Sequence, residues 1–357
     1  MRIAIKIGSN VLTRSDGSLD VTRMSALVDQ IACLHRKGAD VVVISSGAVA
    51  SGRNEISAGR KLDPVSARQL YSAVGQVKLI NRYHELFREH GIRCGQVLTT
   101  KENFSSRTHY LNQKHCMEVM LEHKVIPVVN ENDTISVTGL MFTDNDELSG
   151  LIAAMMTMDV LVILSNVDGI YDGDPSDPSS KVIPEIGAAD DLSGYITAGH
   201  SSFGRGGMLT KCGIARKVAA QGIAVIIANG KRDNILVDLV KTGSDIVSTR
   251  FRPSERPVSN VKKWIAHSGS FAKGEVHINS GAAEALNGDK AVSILMVGVT
   301  RIEGEFEKDD IVRIIDDNGR RIGIGCAGYD SREASLLIGR RDVRPLIHYD
   351  YLYTGTE

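Results

Sequence analysis

Short runs of β-branched and aliphatic residues recur through most of this 357-residue chain, and segments with helical periodicity separate them. The runs are apolar at nearly every position, which is typical of strands that are buried on both faces. Between the first two runs, Leu27, Ile31 and Leu34 repeat at helical spacing, and Gly38 then supplies a C-cap. This alternation predicts an α/β fold with a mainly parallel sheet sandwiched by helices. The runs are residues 2–7, 40–44, 125–129, 160–164 and 223–227.

A different pattern follows the last of these runs. Segment 252–257, Arg-Pro-Ser-Glu-Arg-Pro, has the composition of a linker. Beyond it, segments 310–315 and 320–325 flank Asp-Asp-Asn-Gly, whose Asn-Gly pair is the turn signal of a β-hairpin. A chain of this length has room for two hydrophobic cores. We therefore predict an α/β domain at 1–255 and a small, mostly β domain at 258–345.

Composition and charge argue against several classes of protein. The formal net charge of −1 gives no sign of a polyanionic partner. No apolar run reaches the roughly 18–20 residues of a membrane span, and the N-terminal segment lacks the apolar core of a signal peptide. The five cysteines are scattered without a C-x-x-C pair, which argues against a disulfide framework and a zinc site. We expect a cytoplasmic protein with no membrane partner.

Small and polar residues follow each predicted strand. Ligands of open α/β sheets bind beyond the carboxyl ends of the strands, so these loops form the candidate site. Gly8-Ser9 and Ser46-Gly47 each allow close approach to the backbone and precede a predicted helix. A third loop lies in the glycine-rich segment 204–211, where a helix begins near Met208 and Lys211 falls in its first turn. Together these loops indicate an anion site such as a phosphate site.

Two acidic and amide-rich segments accompany these loops. Asn130-Glu131-Asn132-Asp133 follows the third run, and Asp144-Asn145-Asp146-Glu147 comes eleven residues later. Such residues can bind an ammonium group, hold a metal or position a lysine, and they also favour turns and N-caps. The chain has no P-loop motif and no G-x-S-x-G elbow. A G-x-G-x-x-G match at 323–328 lies in the small β domain without a βαβ context, so we reject it as a dinucleotide site.

These motifs, in this order, resemble the amino acid kinase family over residues 1–255, and 258–345 resembles a PUA domain. Within the family, the Asn-Glu-Asn-Asp and Asp-Asn-Asp segments are similar to the branch that phosphorylates glutamate. The resemblance rests on six segments: Lys6-Ile7-Gly8-Ser9, Ser45-Ser46-Gly47-Ala48, Val129-Asn130-Glu131-Asn132-Asp133, Thr143-Asp144-Asn145-Asp146, Val167-Asp168-Gly169-Ile170-Tyr171 and Gly206-Gly207-Met208-Leu209-Thr210-Lys211.

The resemblance implies ATP-dependent phosphorylation of the γ-carboxylate of L-glutamate, the first step of proline biosynthesis. Mg²⁺ would be carried by the ATP phosphates, with no protein metal site. Lys6 and Lys211 would contact the phosphates, and Asp144 would organise the two lysines. The residues implied to hold glutamate are Ser46, Gly47, Asn130, Asp133, Asn145 and Asp146. The residues implied to contact the nucleotide are Lys6, Gly8, Ser9, Ser165, Asn166, Arg205, Gly206, Gly207, Met208, Leu209, Thr210 and Lys211.

Two departures from the family pattern lie on the nucleotide side. The family often has Thr-Asp or Ser-Asp where this chain has Ser165-Asn166, and Thr-Gly-Gly where it has Arg205-Gly206-Gly207. These departures concern the nucleotide contacts and leave the reaction class as it is. The glycine, serine and histidine content of segment 195–207 also predicts a lid over a labile acyl phosphate product.

Three alternatives to a glutamate kinase stay open at this point. The first is a kinase for another substrate, such as aspartate, acetylglutamate or a phosphorylated alcohol. The second is an RNA-binding protein, since PUA domains are common in such proteins, although residues 258–357 carry 13 Lys and Arg against 15 Asp and Glu. The third is a catalytically silent sensor, which both lysines and Asp144 argue against. The resemblance also implies a homo-oligomer and proline as a feedback inhibitor.

Overall fold

The computed structural model describes most of the chain, in two compact units. One unit comprises Met1–Thr100 with Lys114–Pro257, and the other comprises Lys101–Gln113 with Val258–Glu357. No helix in the described part of the chain is long and apolar enough to cross a membrane. The described residues are 1–53, 55–56, 62–105, 107–136, 142, 145–175, 177–187, 190, 208–241, 245–255, 262, 265, 269, 272–287 and 292–354.

The described residues of the first unit build an eight-stranded sheet in the order β3-β4-β2-β1-β5-β7-β8-β6. Neighbouring strands pair in parallel, except β7 and β8, which are antiparallel. The mainly parallel sheet predicted from the sequence is therefore confirmed. Its strands are β1 (Arg2–Ile7), β2 (Asp40–Ser45), β3 (Arg93–Thr99), β4 (Val125–Glu131), β5 (Val160–Ser165), β6 (Glu185–Ile186), β7 (Ala224–Asn229) and β8 (Thr249–Phe251).

Helices connect these strands, as expected for parallel crossovers. They are α1 (Ser9–Leu12), α2 (Val21–Arg36), α3 (Ala48–Arg53), α4 (Pro64–Glu89), α5 (Lys101–Ser105), α6 (Arg107–Glu122), α7 (Asn145–Met155), α8 (Met208–Ala219) and α9 (Ile235–Leu239). Helix α5 and the first residues of α6 are grouped with the second unit. No change in composition marks that segment, so its place in the second unit could not be predicted from the sequence.

Helix α2 shows how the sequence pattern becomes packing. Leu27, Ile31 and Leu34 recur at helical spacing, and all three are buried in the core of the first unit. Asp20 caps the start of the helix by accepting a backbone N–H at 3.1 Å. Beyond its end, Gly38 takes a φ of +86°, a conformation that favours glycine.

The strands that matter for function end at one edge of the sheet. In the parallel register, Ile7 at the end of β1 pairs with Ser45 of β2 and with Leu164 of β5. Backbone hydrogen bonds hold together the residues that follow these strands. The N–H of Gly8 donates to the carbonyl of Leu164 at 3.2 Å, and the N–H of Ser46 donates to the carbonyl of Ile7 at 3.1 Å. The loops that follow the strands therefore meet, as the sequence predicted.

The second unit contains a five-stranded, mostly antiparallel sheet among its described residues, in the order β10-β9-β11-β12-β13. The predicted hairpin is formed by β11 and β12, and Gly319 in its turn has a φ of +74°. The small, mostly β domain predicted for the C-terminal part is thus confirmed. Its elements are β9 (Gly274–Ile278), α10 (Ser280–Asn287), β10 (Val299–Gly304), β11 (Ile311–Ile315), β12 (Arg321–Cys326), α11 (Ser331–Leu337) and β13 (Leu352–Tyr353).

Candidate active site

A cavity of about 560 Å³ lies at the carboxyl edge of β1, β2, β4 and β5, within the first unit. The loops after these strands line it, together with residues of α3, α4, α7 and α8. The structure thus gathers at one place residues that are spread over two hundred positions of the chain. The predicted site residues that line the cavity are Lys6, Gly8, Ser9, Ser46, Gly47, Asn130, Asp133, Asn145, Asp146, Ser165, Asn166 and Lys211.

Two lysines and one aspartate form the most buried charged group of this cavity. Asp146, in the first turn of α7, is 1% exposed, and Lys6, in β1, is 5% exposed. One carboxylate oxygen of Asp146 forms an ion pair with Lys6 Nζ, and the other lies 3.0 Å from Lys211 Nζ. Burial acts to raise the pKa of Asp146, but the two ammonium groups hold it below its usual value. The group carries a net positive charge, which suits a bound phosphate.

The carboxylate between the lysines differs from the predicted one. The resemblance assigned this role to Asp144 and placed Asp146 against the substrate. In the structure both oxygens of Asp146 face lysines, a position that the resemblance did not assign to it. Helix α7 begins at Asn145, which puts Asp146 inside the first helical turn. Asp144 lies outside the described residues, so its role stays a prediction.

An amide and hydroxyl network forms another wall of the cavity. Asn145 Nδ2 donates to Ser46 Oγ at 2.8 Å and to Asn130 Oδ1 at 3.0 Å. Asn130 Nδ2 in turn donates to Gln76 Oε1 of α4 at 2.9 Å. Gly47, next to Ser46, has a φ of +111°, where a side chain would strain the backbone. Two predicted residues at strand ends, Ser46 and Asn130, and one at the start of α7, Asn145, are thereby fixed relative to one another.

A guanidinium group holds the two carboxylates that follow β4. Arg68 of α4 donates from Nε to Asp133 Oδ1 at 2.7 Å, and its Nη2 contacts the same oxygen. The same Nη2 donates to Glu131 Oε2 at 2.8 Å. Burial, and then the neighbouring charge of Asp133, raise the pKa of Glu131, whereas the N–H of Phe142 and Arg68 act to lower it. Sequence reasoning missed Arg68, which carries no motif and reaches Asp133 from 65 positions away.

The ends of β1 and β5 form the wall of the cavity that the resemblance assigns to the nucleotide. A Cβ atom at Gly8 would lie 3.1 Å from the carbonyl oxygen of Leu164 and 3.6 Å from Lys6 Nζ, so glycine permits this close approach. Ser165 is nearly buried, and its carbonyl accepts the N–H of Gly230 at 2.8 Å. Neighbouring Asn166 also lines the cavity. Ser165 and Asn166, where the chain departs from the family pattern, therefore both lie at the site.

The predicted glycine-rich segment is described only in part. Helix α8 begins at Met208, as the sequence predicted, and places Lys211 in its first turn. Met208 and Thr210 lie in this helix but do not line the cavity. The predicted nucleotide residues Arg205, Gly206 and Gly207, the side chain of Leu209 and the predicted lid at 195–207 lie outside the described residues.

Several cavity residues besides Arg68 were not predicted. Asn10 of α1 and Arg53 of α3 line the cavity, as does Tyr71 of α4. The Arg53 guanidinium carbon lies 5.9 Å from the centre of the Tyr71 ring, a cation–π distance. Helix α4 supplies much of this wall, and its long polar sequence offered no strand-end signal that would have marked it.

Comparison with known proteins agrees with this geometry. The family model described as amino acid kinase family matches residues 1–229, and the PUA domain model matches residues 274–348. A protein of Bacteroides thetaiotaomicron named Glutamate 5-kinase is 68% identical over 352 residues, covering 99% of this chain and 98% of its own. Another of that name, from Chlorobaculum tepidum, is 46% identical over 354 residues, covering 99% and 97%.

A solved structure supports the fold independently. The carbamate kinase of Giardia lamblia bound to AMP-PNP superposes with a TM-score of 0.52 at 16% identity, covering 71% of this chain and 98% of that one. At this identity the likeness shows the fold alone. The family model and the full-length relatives carry the assignment further. The chain belongs to the amino acid kinase family, in the branch of the glutamate 5-kinases.

Proposed function

We propose that this chain transfers the γ-phosphoryl group of ATP to the γ-carboxylate of L-glutamate, forming L-glutamyl 5-phosphate. The observation that carries the proposal is the pairing of Lys6 and Lys211 with Asp146 beside the amide and hydroxyl network of the same cavity. One part of the cavity suits phosphates, and the other suits an amino acid. The two full-length relatives named Glutamate 5-kinase support the same reaction.

The acceptor group needs no general base. A γ-carboxylate has a reference pKa of about 4.3 and is already ionised at neutral pH. The work of the protein is therefore to bring the carboxylate into line with the phosphoryl group and to stabilise the charge that develops. Lys6 and Lys211 supply that positive charge from β1 and α8. Asp146 orients both ammonium groups before the substrates bind, because each of its oxygens faces one of them.

The carboxylates of the cavity are already paired with cations, which is consistent with a metal that is carried by the nucleotide. Among the described lining residues, the carboxylates are Glu131, Asp133 and Asp146, and each is paired with a cationic side chain. None of the three is therefore a ready ligand for a resident metal. Bound to the ATP phosphates, Mg²⁺ would neutralise part of their negative charge. On this proposal, the chain's own part is to hold those phosphates with Lys6 and Lys211.

In this proposal each charged group of glutamate has a binding partner in the cavity. Asp133 binds the ammonium group. The Ser46-Gly47 turn binds the α-carboxylate, because the positive φ of Gly47 exposes backbone at the start of α3. Asn145 donates to Ser46 and Asn130, which keeps this turn in place. The γ-carboxylate then points towards the two lysines.

The test is turnover by the purified protein with ATP, Mg²⁺ and hydroxylamine, which traps acyl phosphates as hydroxamates. The acceptors are L-glutamate, L-aspartate, N-acetyl-L-glutamate and carbamate. We expect hydroxamate from glutamate and loss of at least about 100-fold in kcat for Lys6→Ala. Lys37→Ala, an exposed lysine after α2 at the far edge of the sheet, is the matched control and should leave kcat unchanged. A preference for another acid would contradict the proposal.

Further properties implied by the family resemblance stay predictions. They are assembly into a homo-oligomer, feedback inhibition by proline, a cytoplasmic location, and RNA contact through the PUA domain. The formal charge of residues 258–357 gives RNA binding no support, since acidic residues outnumber basic ones there. The domain limits at 255 and 258 also stay predictions.

A further inference from the structure

Two buried carboxylates stand side by side at the amino-acid end of the cavity. Glu131 ends β4, and Asp133 follows two residues later, and both are largely removed from solvent. Like charges this close repel strongly unless a cation separates them. Arg68 is that cation, because it donates to one oxygen of each carboxylate. The three side chains together carry a single net negative charge.

The groups that face this pair decide its charge. Glu131 Oε1 accepts the N–H of Phe142 at 2.9 Å. Burial and the charge of Asp133 raise the pKa of Glu131, and Arg68 opposes that rise. Among these groups Arg68 is the one full positive charge, so its removal would leave two carboxylates competing for one proton.

Helix α4 carries the residues that hold the end of β4 and the loop after it. Asp63 caps its start with hydrogen bonds to the N–H groups of residues 65 and 66, both at 3.0 Å. One turn later come Arg68 and Gln69, and Gln69 donates to the carbonyl of Thr134 at 2.8 Å. Two turns further on, Gln76 accepts from Asn130. The loop after β4 is therefore fixed on a rigid helix at three points.

We propose that Arg68 is a positioning residue for the amino-acid substrate, which acts by keeping the Glu131–Asp133 pair at one net negative charge. One negative charge neutralises one substrate ammonium group, whereas two would repel the carboxylates of the same substrate. Arg68 thus sets the net charge of the pocket to suit a zwitterionic dicarboxylic acid. It acts through Asp133 and does not touch the reacting atoms. This inference rests on the proposed phosphorylation of glutamate.

A double-mutant cycle separates charge balance from packing. Arg68→Met keeps the length of the side chain and removes the charge, so KM for glutamate should rise by about tenfold or more, with kcat and KM for ATP within about threefold. Glu131→Gln brings the group to zero net charge and should also raise KM for glutamate. The double variant Arg68→Met/Glu131→Gln restores one negative charge, on Asp133, and should return KM to within about threefold of the parent.

The pH profile gives a second readout that a packing role would not move. Burial and the charge of Asp133 already raise the pKa of Glu131, and removing Arg68 takes away the charge that opposes that rise. The pair in Arg68→Met should therefore share a proton at low pH and lose it as the pH rises, so its KM defect should grow with pH. The parent and the double variant each keep one net negative charge and should show a smaller change in KM over the same range.

The control is Arg82→Met, on the same helix, where an exposed arginine pairs with Glu85 at 2.8 Å. It should change neither KM. The double variant leaves one buried carboxylate without a cation where Arg68→Met leaves two, so it should be the less destabilised of the two, and thermal melting of all variants checks this. A double variant as impaired as Arg68→Met, or a flat profile for Arg68→Met, would overturn the inference. A parent protein inactive on glutamate would instead overturn the proposed function.

Discussion

Asp146 is the residue on which the proposed catalytic charge depends, and Asp146→Asn tests it with almost no change in shape. The substitution leaves Lys6 and Lys211 without the carboxylate that both now face. Two ammonium groups on the two oxygens of one carboxylate lie roughly 6 Å apart at ordinary hydrogen-bond distances. At an effective dielectric constant of about 20, their unscreened repulsion is about 3 kcal/mol. The lysines should then separate and lose their alignment with the phosphoryl group.

A loss of about 3 kcal/mol of transition-state stabilisation corresponds to roughly 100-fold in rate. We therefore expect Asp146→Asn to lower kcat by about 100-fold. KM for glutamate should stay within about threefold, because Asp133 and the Ser46-Gly47 turn are unchanged. KM for ATP should stay the same or fall, since two unbalanced lysines attract phosphate more strongly.

The assay is initial-rate kinetics with each substrate varied, accompanied by thermal melting to establish that the variant is folded. Asp40→Asn provides the matched control, because Asp40 also pairs with a lysine, Lys124, but at 3.5 Å on an exposed surface. Its kcat should be that of the parent. A kcat for Asp146→Asn within about threefold of the parent would refute the organising role of this carboxylate.

Other substitutions give further tests. Lys211→Ala should lower kcat by at least about 100-fold, and a kcat within twofold of the parent would contradict its role at the phosphates. Asp133→Ala should mainly raise KM for glutamate, by about tenfold or more, and steady-state kinetics that showed an equal fall in kcat instead would count against ammonium binding. Gly75→Ala places a Cβ atom 1.8 Å from a backbone carbonyl of α3, so the free energy of unfolding should fall by at least about 2 kcal/mol. Gly213→Ala, in α8 with no atom within 4 Å of the added Cβ, should not destabilise the protein, and denaturant titration compares the two.

The sheet could be predicted from the sequence because its central strands are buried on both faces. Strands β2 and β5 are apolar over most of their length, as are β4 and β7, and Lys6 interrupts the apolar run of β1. Strand β3 was missed because it lies at the edge of the sheet. Its sequence, Arg-Cys-Gly-Gln-Val-Leu-Thr, is half exposed and lacks an apolar run. A strand of this kind is identified only once its pairing with β4 is known.

The site residues in the loops after strands could be predicted from the sequence, whereas those that lie on helices were harder to predict. The loops after β1, β2, β4 and β5 meet because parallel strands end at one edge. Asp146 faces the two lysines because α7 begins at Asn145, and capping signals alone place the start of a helix only to within a residue or two. Arg68 comes from a helix far along the chain, so its contact with Asp133 is set by tertiary packing alone.

The most direct test of the proposed reaction follows an oxygen atom. L-Glutamate labelled with ¹⁸O in its γ-carboxylate is incubated with the protein, ATP, Mg²⁺ and hydroxylamine, and the released inorganic phosphate is analysed by mass spectrometry. Attack by the γ-carboxylate puts a labelled oxygen in the bridge to phosphorus, and hydroxylamine cleaves the C–O bond, so each phosphate should carry one ¹⁸O atom. Phosphate without label would contradict phosphorylation of the side chain.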